Sequence, residues 1–153
     1  WGFLPPNEDL TQGDWLPGCA MMWKTETVRN VGFRELFSGY AQGEDLDFSL
    51  RARSRGKLVV TGKAHLLHLT DNQGRPDPYR RGYMAIYNRY LIHRETYPDA
   101  LFRLIFIYAW LVDTLFLLYR LLSPAEFRST LAQLRGRLDA ALDLMINRKP
   151  RLC

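Results

Sequence analysis

Gly43-Glu44-Asp45-Leu46-Asp47-Phe48-Ser49-Leu50-Arg51-Ala52-Arg53-Ser54-Arg55-Gly56 is the stretch on which the reading of this chain turns. Three carboxylates gather at its start, where the positive end of a helix favours them and keeps them ionised. Leu46, Phe48 and Leu50 supply an apolar side, arginines follow, and Gly56 gives the stop that ends a helix. An ionised carboxylate held in a cleft can take a proton from an attacking alcohol. The same three acids would also suit a helix that does no more than cap itself.

Upstream, residues 1–18 are rich in Gly, Pro, Asn and Asp and are expected to form a loop. Residues 19–23 form a short apolar run expected as a buried strand, and residues 25–31 a short helix closed by Gly32. Residues 33–43 alternate aromatics with Gly, Ser and Gln, the pattern of a loop. Downstream, residues 57–61 are strand-like, as is the alternation Ala64, Leu66, His68. Residues 71–78 are turn-rich.

A helix is expected over residues 79–97, with Tyr83, Ile86, Tyr87, Tyr90 and Leu91 on one side and Arg80, Arg81, Arg89 and Arg94 on the other. Residues 101–122 are the most apolar stretch. Ser123-Pro124-Ala125-Glu126 has the form of a capping box. Behind it Phe127, Leu131, Leu134, Leu138, Leu142 and Met145 recur at steps of three and four, predicting an amphipathic helix to about residue 147. The chain divides by pattern into residues 1–98, mixed α/β, and residues 99–153, an apolar helix followed by an amphipathic one.

The 153 residues suffice for a domain with a core, and 47% apolar with 24% charged residues argues against wholesale disorder. A net charge of +5 permits anionic partners, although the arginines are scattered among acids. Cys19 and Cys153 make no disulfide framework, which favours a reducing, cytoplasmic setting. The start at Trp1-Gly2-Phe3-Leu4-Pro5-Pro6 has no signal-peptide pattern and suggests a chain entered part-way through a domain. His65 and His68 would point to opposite faces of a strand, and neither has the spacing of a helical zinc pair. A hard cation such as Mg²⁺ or Mn²⁺ would draw its other ligands from carboxylates and phosphate oxygens.

Three pieces taken in order carry a resemblance: residues 15–22, residues 43–56 and residues 64–68. With Val31-Gly32-Phe33 between the first two, they resemble the second half of a family 2 inverting glycosyltransferase of the GT-A fold, of the rhamnosyltransferase-like bacterial kind. The likeness covers about residues 14–95. It implies that Asp45 is the general base for an acceptor hydroxyl and that Glu44 orients the acceptor or the base. It implies substrate contacts at Gly18, where the backbone can approach a sugar diphosphate, and at Cys19 and Asp47. Arg80 and Arg81 would neutralise the leaving diphosphate or an anionic acceptor, and His68 would help hold a divalent metal. The Asp-x-Asp motif and the nucleotide-binding half would precede Trp1 by the family pattern, so this chain alone is expected to be inactive. The Gln-x-x-Arg-Trp motif of processive synthases is not in the sequence, which favours single addition over polymerisation.

The expected activity is transfer of a sugar from a nucleotide-diphosphate donor to a hydroxyl of a glycan or lipid-linked acceptor, with inversion, in cell-envelope polysaccharide biosynthesis. Nucleic acid is not an expected partner. The alternative is a non-catalytic module that binds a membrane surface or a protein partner. Between Arg103 and Arg120 lie 16 residues in which Asp113 is the one charge. That span falls short of a ~30 Å hydrocarbon core. Its ten Leu, Ile, Val and Phe residues would contribute roughly −3 to −6 kcal/mol to insertion, against about +2.5 to +3.5 kcal/mol for Asp113. A spanning helix, one lying in the interface and one docked on a partner all fit this balance. Attachment at the inner face of the cell membrane is the expectation, with Arg128, Arg135, Arg137 and Arg148 suited to an anionic leaflet.

Overall fold

The structure, a computed structural model, describes residues 10–35, 37, 41–69, 75–96 and 100–150, in 101–103 the backbone alone. The expectations for residues 1–9, for 36 and 38–40 of the aromatic loop, for 70–74, and for Tyr97 and Cys153 lie outside these residues. The described chain is mostly helical with one small sheet. It runs β1 (Thr11–Gly13), α1 (Thr25–Val31), α2 (Glu44–Ala52), β2 (Leu58–Val60), α3 (Pro78–Thr96), α4 (Ala100–Arg120) and α5 (Phe127–Met145). It separates into two compact units: Trp1–Glu35 with Glu44–Asn72, and Leu36–Gly43 with Gln73–Cys153. The helix expected over 79–97, grouped by pattern with the first 98 residues, thus clusters with α4 and α5.

In the first unit β1 and β2 pair antiparallel, Thr11 opposite Val60 and Gly13 opposite Leu58. The core forms around Phe48, which is fully buried. The Trp23 ring meets it edge-on at 4.8 Å and the Phe33 ring stacks on it at 4.3 Å. Leu16, Ala52 and Leu58 complete the buried set. The strand expected over 19–23 is instead a 3-10 turn, Gly18–Ala20, followed by extended chain with no ladder partner. Residues 64–69 carry no strand and lie exposed, so the alternation ending at His68 corrects to an irregular surface segment. A period-two pattern forms a strand only where an edge is available to pair with it.

The second unit is built on α3 and α5. Gly82 and Gly136 let the two backbones touch: a Cβ at Gly82 would overlap the Gln133 carbonyl oxygen, and one at Gly136 the Tyr79 carbonyl oxygen. Along this seam tyrosines of α3 donate to α5 and to the chain just after it. Tyr79 reaches Asp139 at 2.8 Å, Tyr83 reaches Asp143 at 2.9 Å, and Tyr87 reaches the Arg148 carbonyl at 3.0 Å. Two pairs advancing by four residues on both helices run α3 and α5 in the same direction, with α4 as the return. The apolar core of the unit comprises Tyr83, Ile86, Tyr87, Leu91 and Ala140.

The amphipathic helix expected from residue 127 forms as α5. The leucine stripe of α5 does not face inward; Thr130, Gln133, Gly136, Ala140 and Asp143 do, and Leu131, Leu138 and Met145 are 52%, 60% and 79% exposed. Glycine and alanine admit a closer approach than leucine allows; the tyrosine hydroxyls satisfy Asp139 and Asp143, while the Thr130 hydroxyl is buried without a hydrogen-bond partner. The capping box also corrects. No side chain caps α5, which begins after a turn at 123–126, and Glu126 instead accepts from Arg120 Nε at 2.7 Å. That hydrogen bond holds the Glu126 carboxyl below its ordinary value.

Gly136→Ala must push α3 and α5 apart at their closest point and should cost about 3 kcal/mol, the upper range for overpacking. Urea denaturation of the variant against the parent measures this. A second outcome concerns His93, whose pKa is pulled below its ordinary 6.5 by burial and by the Arg89 charge. The unfolded chain then binds the proton more tightly, so stability is full above about 6.5 and falls as pH drops towards the lowered value. Melting temperatures across pH 5.5–7.5 should show this slope, and His93→Gln should flatten it.

Candidate functional site

The acid-rich start of α2 lies in the first unit, and its three carboxylates have three different settings. Asp45 spans two elements. Its Oδ2 accepts from the Gly18 N–H at 2.9 Å and its Oδ1 from the Leu46 N–H at 2.8 Å. A second tie runs alongside: the buried Ser49 hydroxyl accepts from the Leu16 N–H at 3.0 Å. The Pro17-Gly18-Cys19-Ala20 turn closes with Ala20 N–H donating to the Pro17 carbonyl at 2.9 Å, which presents the Gly18 N–H to α2. Two of the three resembling pieces, 15–22 and 43–56, therefore meet at Gly18 and Asp45. Each Asp45 oxygen keeps a further lone pair beyond the one engaged.

Asp47 points the other way. It is 3% exposed and serves as a buried counter-ion. Arg51 approaches its Oδ2 through Nε at 2.9 Å and Nη2 at 2.8 Å, and Arg34 approaches Oδ1 at 3.5 Å. The same Arg51 donates to the Val31 and Gly32 carbonyls, both at 2.8 Å, satisfying the C-terminal end of α1. A guanidinium that serves one carboxylate oxygen and two carbonyls at once is a geometrically fixed device. The substrate contact expected at Asp47 is thus set at a residue whose observed partners are all structural. Arg34, Ser49 and Arg51 were not singled out as site residues, though the four-residue spacing of Asp47 and Arg51 is a legible helical ion pair.

Glu44 is partly buried at the first turn of α2, and its pKa is raised by that burial and then by the neighbouring Asp45 charge. Cys19 is a free, exposed thiol in the 3-10 turn. Gly18 and Cys19 are exposed, so the turn offers a backbone surface beside Asp45. His68 stands on the exposed irregular segment. Among the described residues no group of three or more His, Cys, Asp or Glu comes together to hold a metal ion.

Arg80 and Arg81 belong to the second unit, at the first turn of α3. Arg80 is exposed and pairs with Asp77 at 3.4 Å. Arg81 is half-buried, and its Nε is buried without a hydrogen-bond acceptor. An open cleft of about 810 Å³ in the first unit is lined by Gln12, Asp14, Arg53, Arg55 and Lys57 among others. None of the expected site residues lines it.

A raised carboxyl pKa means that the fold prefers Glu44 protonated. Its contribution is then fully present below the ordinary value of 4.5 and lost as pH rises through the raised one. Glu44→Gln should therefore melt higher than the parent at pH 7, with the difference closing below about pH 4.5; calorimetry at the two pH values checks this. No family model, curated protein or solved structure matches this chain.

Proposed function

We propose that this chain carries the acceptor-side half of an inverting glycosyltransferase of GT-A type, with Asp45 as the base. The donor would be a nucleotide-diphosphate sugar and the acceptor a hydroxyl of a glycan or lipid-linked saccharide at the inner face of the cell membrane. The observation that supports the reading is the Gly18–Asp45 hydrogen bond. It joins the Trp15-Leu16-Pro17-Gly18 turn to the Glu44–Asp45 pair, two pieces whose order in the sequence suggested the family.

In this reading the Leu46 and Gly18 N–H groups fix the Asp45 carboxylate in place. The acceptor O–H gives its proton to a remaining lone pair of Asp45. Its oxygen attacks the anomeric carbon from the face opposite the leaving group, and the bond from that carbon to the diphosphate oxygen breaks. The nucleoside diphosphate leaves with the electron pair. Glu44, beside Asp45, would hold the acceptor hydroxyl. A divalent ion would neutralise the diphosphate, with His68 as the candidate ligand from this chain.

A second reading draws on the same geometry: a non-catalytic module in which Asp45 only clamps a turn to a helix. Asp45→Asn separates the two. As a base it should lose about 10²–10⁴-fold in transfer while donor affinity holds. Transfer is measured in the intact protein with a nucleotide-diphosphate sugar and a hydroxyl acceptor. If the variant merely unfolds more easily and turnover is otherwise unchanged, the clamp reading stands.

A further inference from the structure

The second unit is arranged with its polar side inward. Its seam holds Asp139 and Asp143 under tyrosine hydroxyls, together with Thr130 and Gln133. Asp113 of α4, the charge that weighed against a membrane position, has its side chain 41% exposed but ion-paired. Arg89 of α3 donates to it at 2.8 Å, and Arg137 of α5 lies 3.8 Å away. Burial lowers the pKa of Arg137, and the Asp113 charge opposes that shift.

The outward side is apolar. Every exposed residue from 104 to 119 is aliphatic, Phe or Tyr, including Leu104, Leu111, Leu115, Phe116 and Tyr119. On α5 the exposed positions are Phe127, Leu131, Leu138, Leu142 and Met145, and beside them Arg128 and Arg135. Exposed Arg148 and Lys149 follow the helix. Each carboxylate of α4 and α5 is already held by a partner. An apolar surface with a cationic edge therefore faces out, and no helix is long and apolar enough among the described residues to cross a membrane.

We infer that the outward face of α4 and α5 seats in the interfacial layer of an anionic lipid bilayer, with Arg128 and Arg135 on the lipid phosphates. Apolar side chains entering the acyl boundary with arginines at headgroup level is how in-plane amphipathic helices bind. Pairing every carboxylate with a donor is what an apolar surrounding requires of them. A second copy of this chain would bring the same arginines, and on these helices no uncommitted carboxylate to meet them. The inference rests on the membrane-surface part of the proposed function and stands apart from the chemistry at Asp45.

Flotation of the intact protein with vesicles tests it. The parent should float with phosphatidylcholine–phosphatidylglycerol vesicles and much less with phosphatidylcholine alone. Leu138→Glu with Leu142→Glu, both at exposed positions, should abolish flotation while helix content by circular dichroism stays. Arg128→Gln with Arg135→Gln should weaken binding to the anionic vesicles about thirtyfold. Absence of flotation, flotation untouched by either pair, or loss with the leucine pair alone overturns the inference. A dimer that the leucine pair breaks, without flotation, overturns it in favour of a second copy. Asp45→Asn should float as the parent does, so a failed transferase reading and a failed membrane reading remain distinguishable.

Discussion

At the crossing of α3 and α5, Gly82 and Gly136 bring two helical backbones together with no room for a single added carbon. Much of the second unit follows from that contact. Helices this close cannot place leucines between them, so the face that α5 turns inward must be small or hydrogen-bonded. Asp139 and Asp143 then fall opposite Tyr79 and Tyr83, one turn apart on each helix, and the hydroxyls satisfy the carboxylates. A buried carboxylate without a donor would cost several kcal/mol, about as much as overpacking the seam. Glycines and tyrosines are therefore two parts of one arrangement. Removing either strands the other.

The first unit solves a different problem, that of fixing loops on a short helix. Helix α2 has nine residues, too few to be stable from propensity alone. Its stability comes from what it ties down: Asp45 and Ser49 take the N–H groups of the 16–18 turn, and Arg51 takes the last carbonyls of α1. Phe48 buries between Trp23 and Phe33, which come from either side of α1. The acids divide accordingly. Asp47 is sequestered under Arg51, while Glu44 and Asp45 stay partly exposed beside the turn.

Legibility in the sequence followed the kind of force involved. The helices at 25–31 and 44–52 were readable from their glycine stops, with acids at the start of the second, the one at 78–96 from its apolar periodicity, and the one at 100–120 from its unbroken apolar run. The strand at 58–60 was readable from its β-branched run. Its partner, Thr11–Gly13, was not, because three polar and small residues carry no pattern and gain their strand from the edge they pair with. The inward face of α5 was not legible for a related reason: hydrophobic periodicity gives glycine no credit for admitting a second backbone. Glu126 was assigned to a cap because Arg120, six residues earlier, lay beyond the motif. At the site, Gly18 and Asp45 were expected together and do meet; the strand that was to carry His68 did not form.

The exposure of α5's leucines is an energetic matter as much as a topological one. Fully burying a leucine, phenylalanine or methionine is worth about 1.5–3 kcal/mol. Phe127, Leu131, Leu138, Leu142 and Met145 each leave roughly half or more of that unrealised, and α4 adds a longer row of the same kind. The combined shortfall is comparable to the whole stability of an ordinary domain, about 5–15 kcal/mol. The seam cannot recover it, since closing leucines into the crossing would force the glycines apart. The outward apolar arc is thus a consequence of the inward polar one. It leaves the second unit with an apolar face on α4 and α5 whose burial would add to its stability.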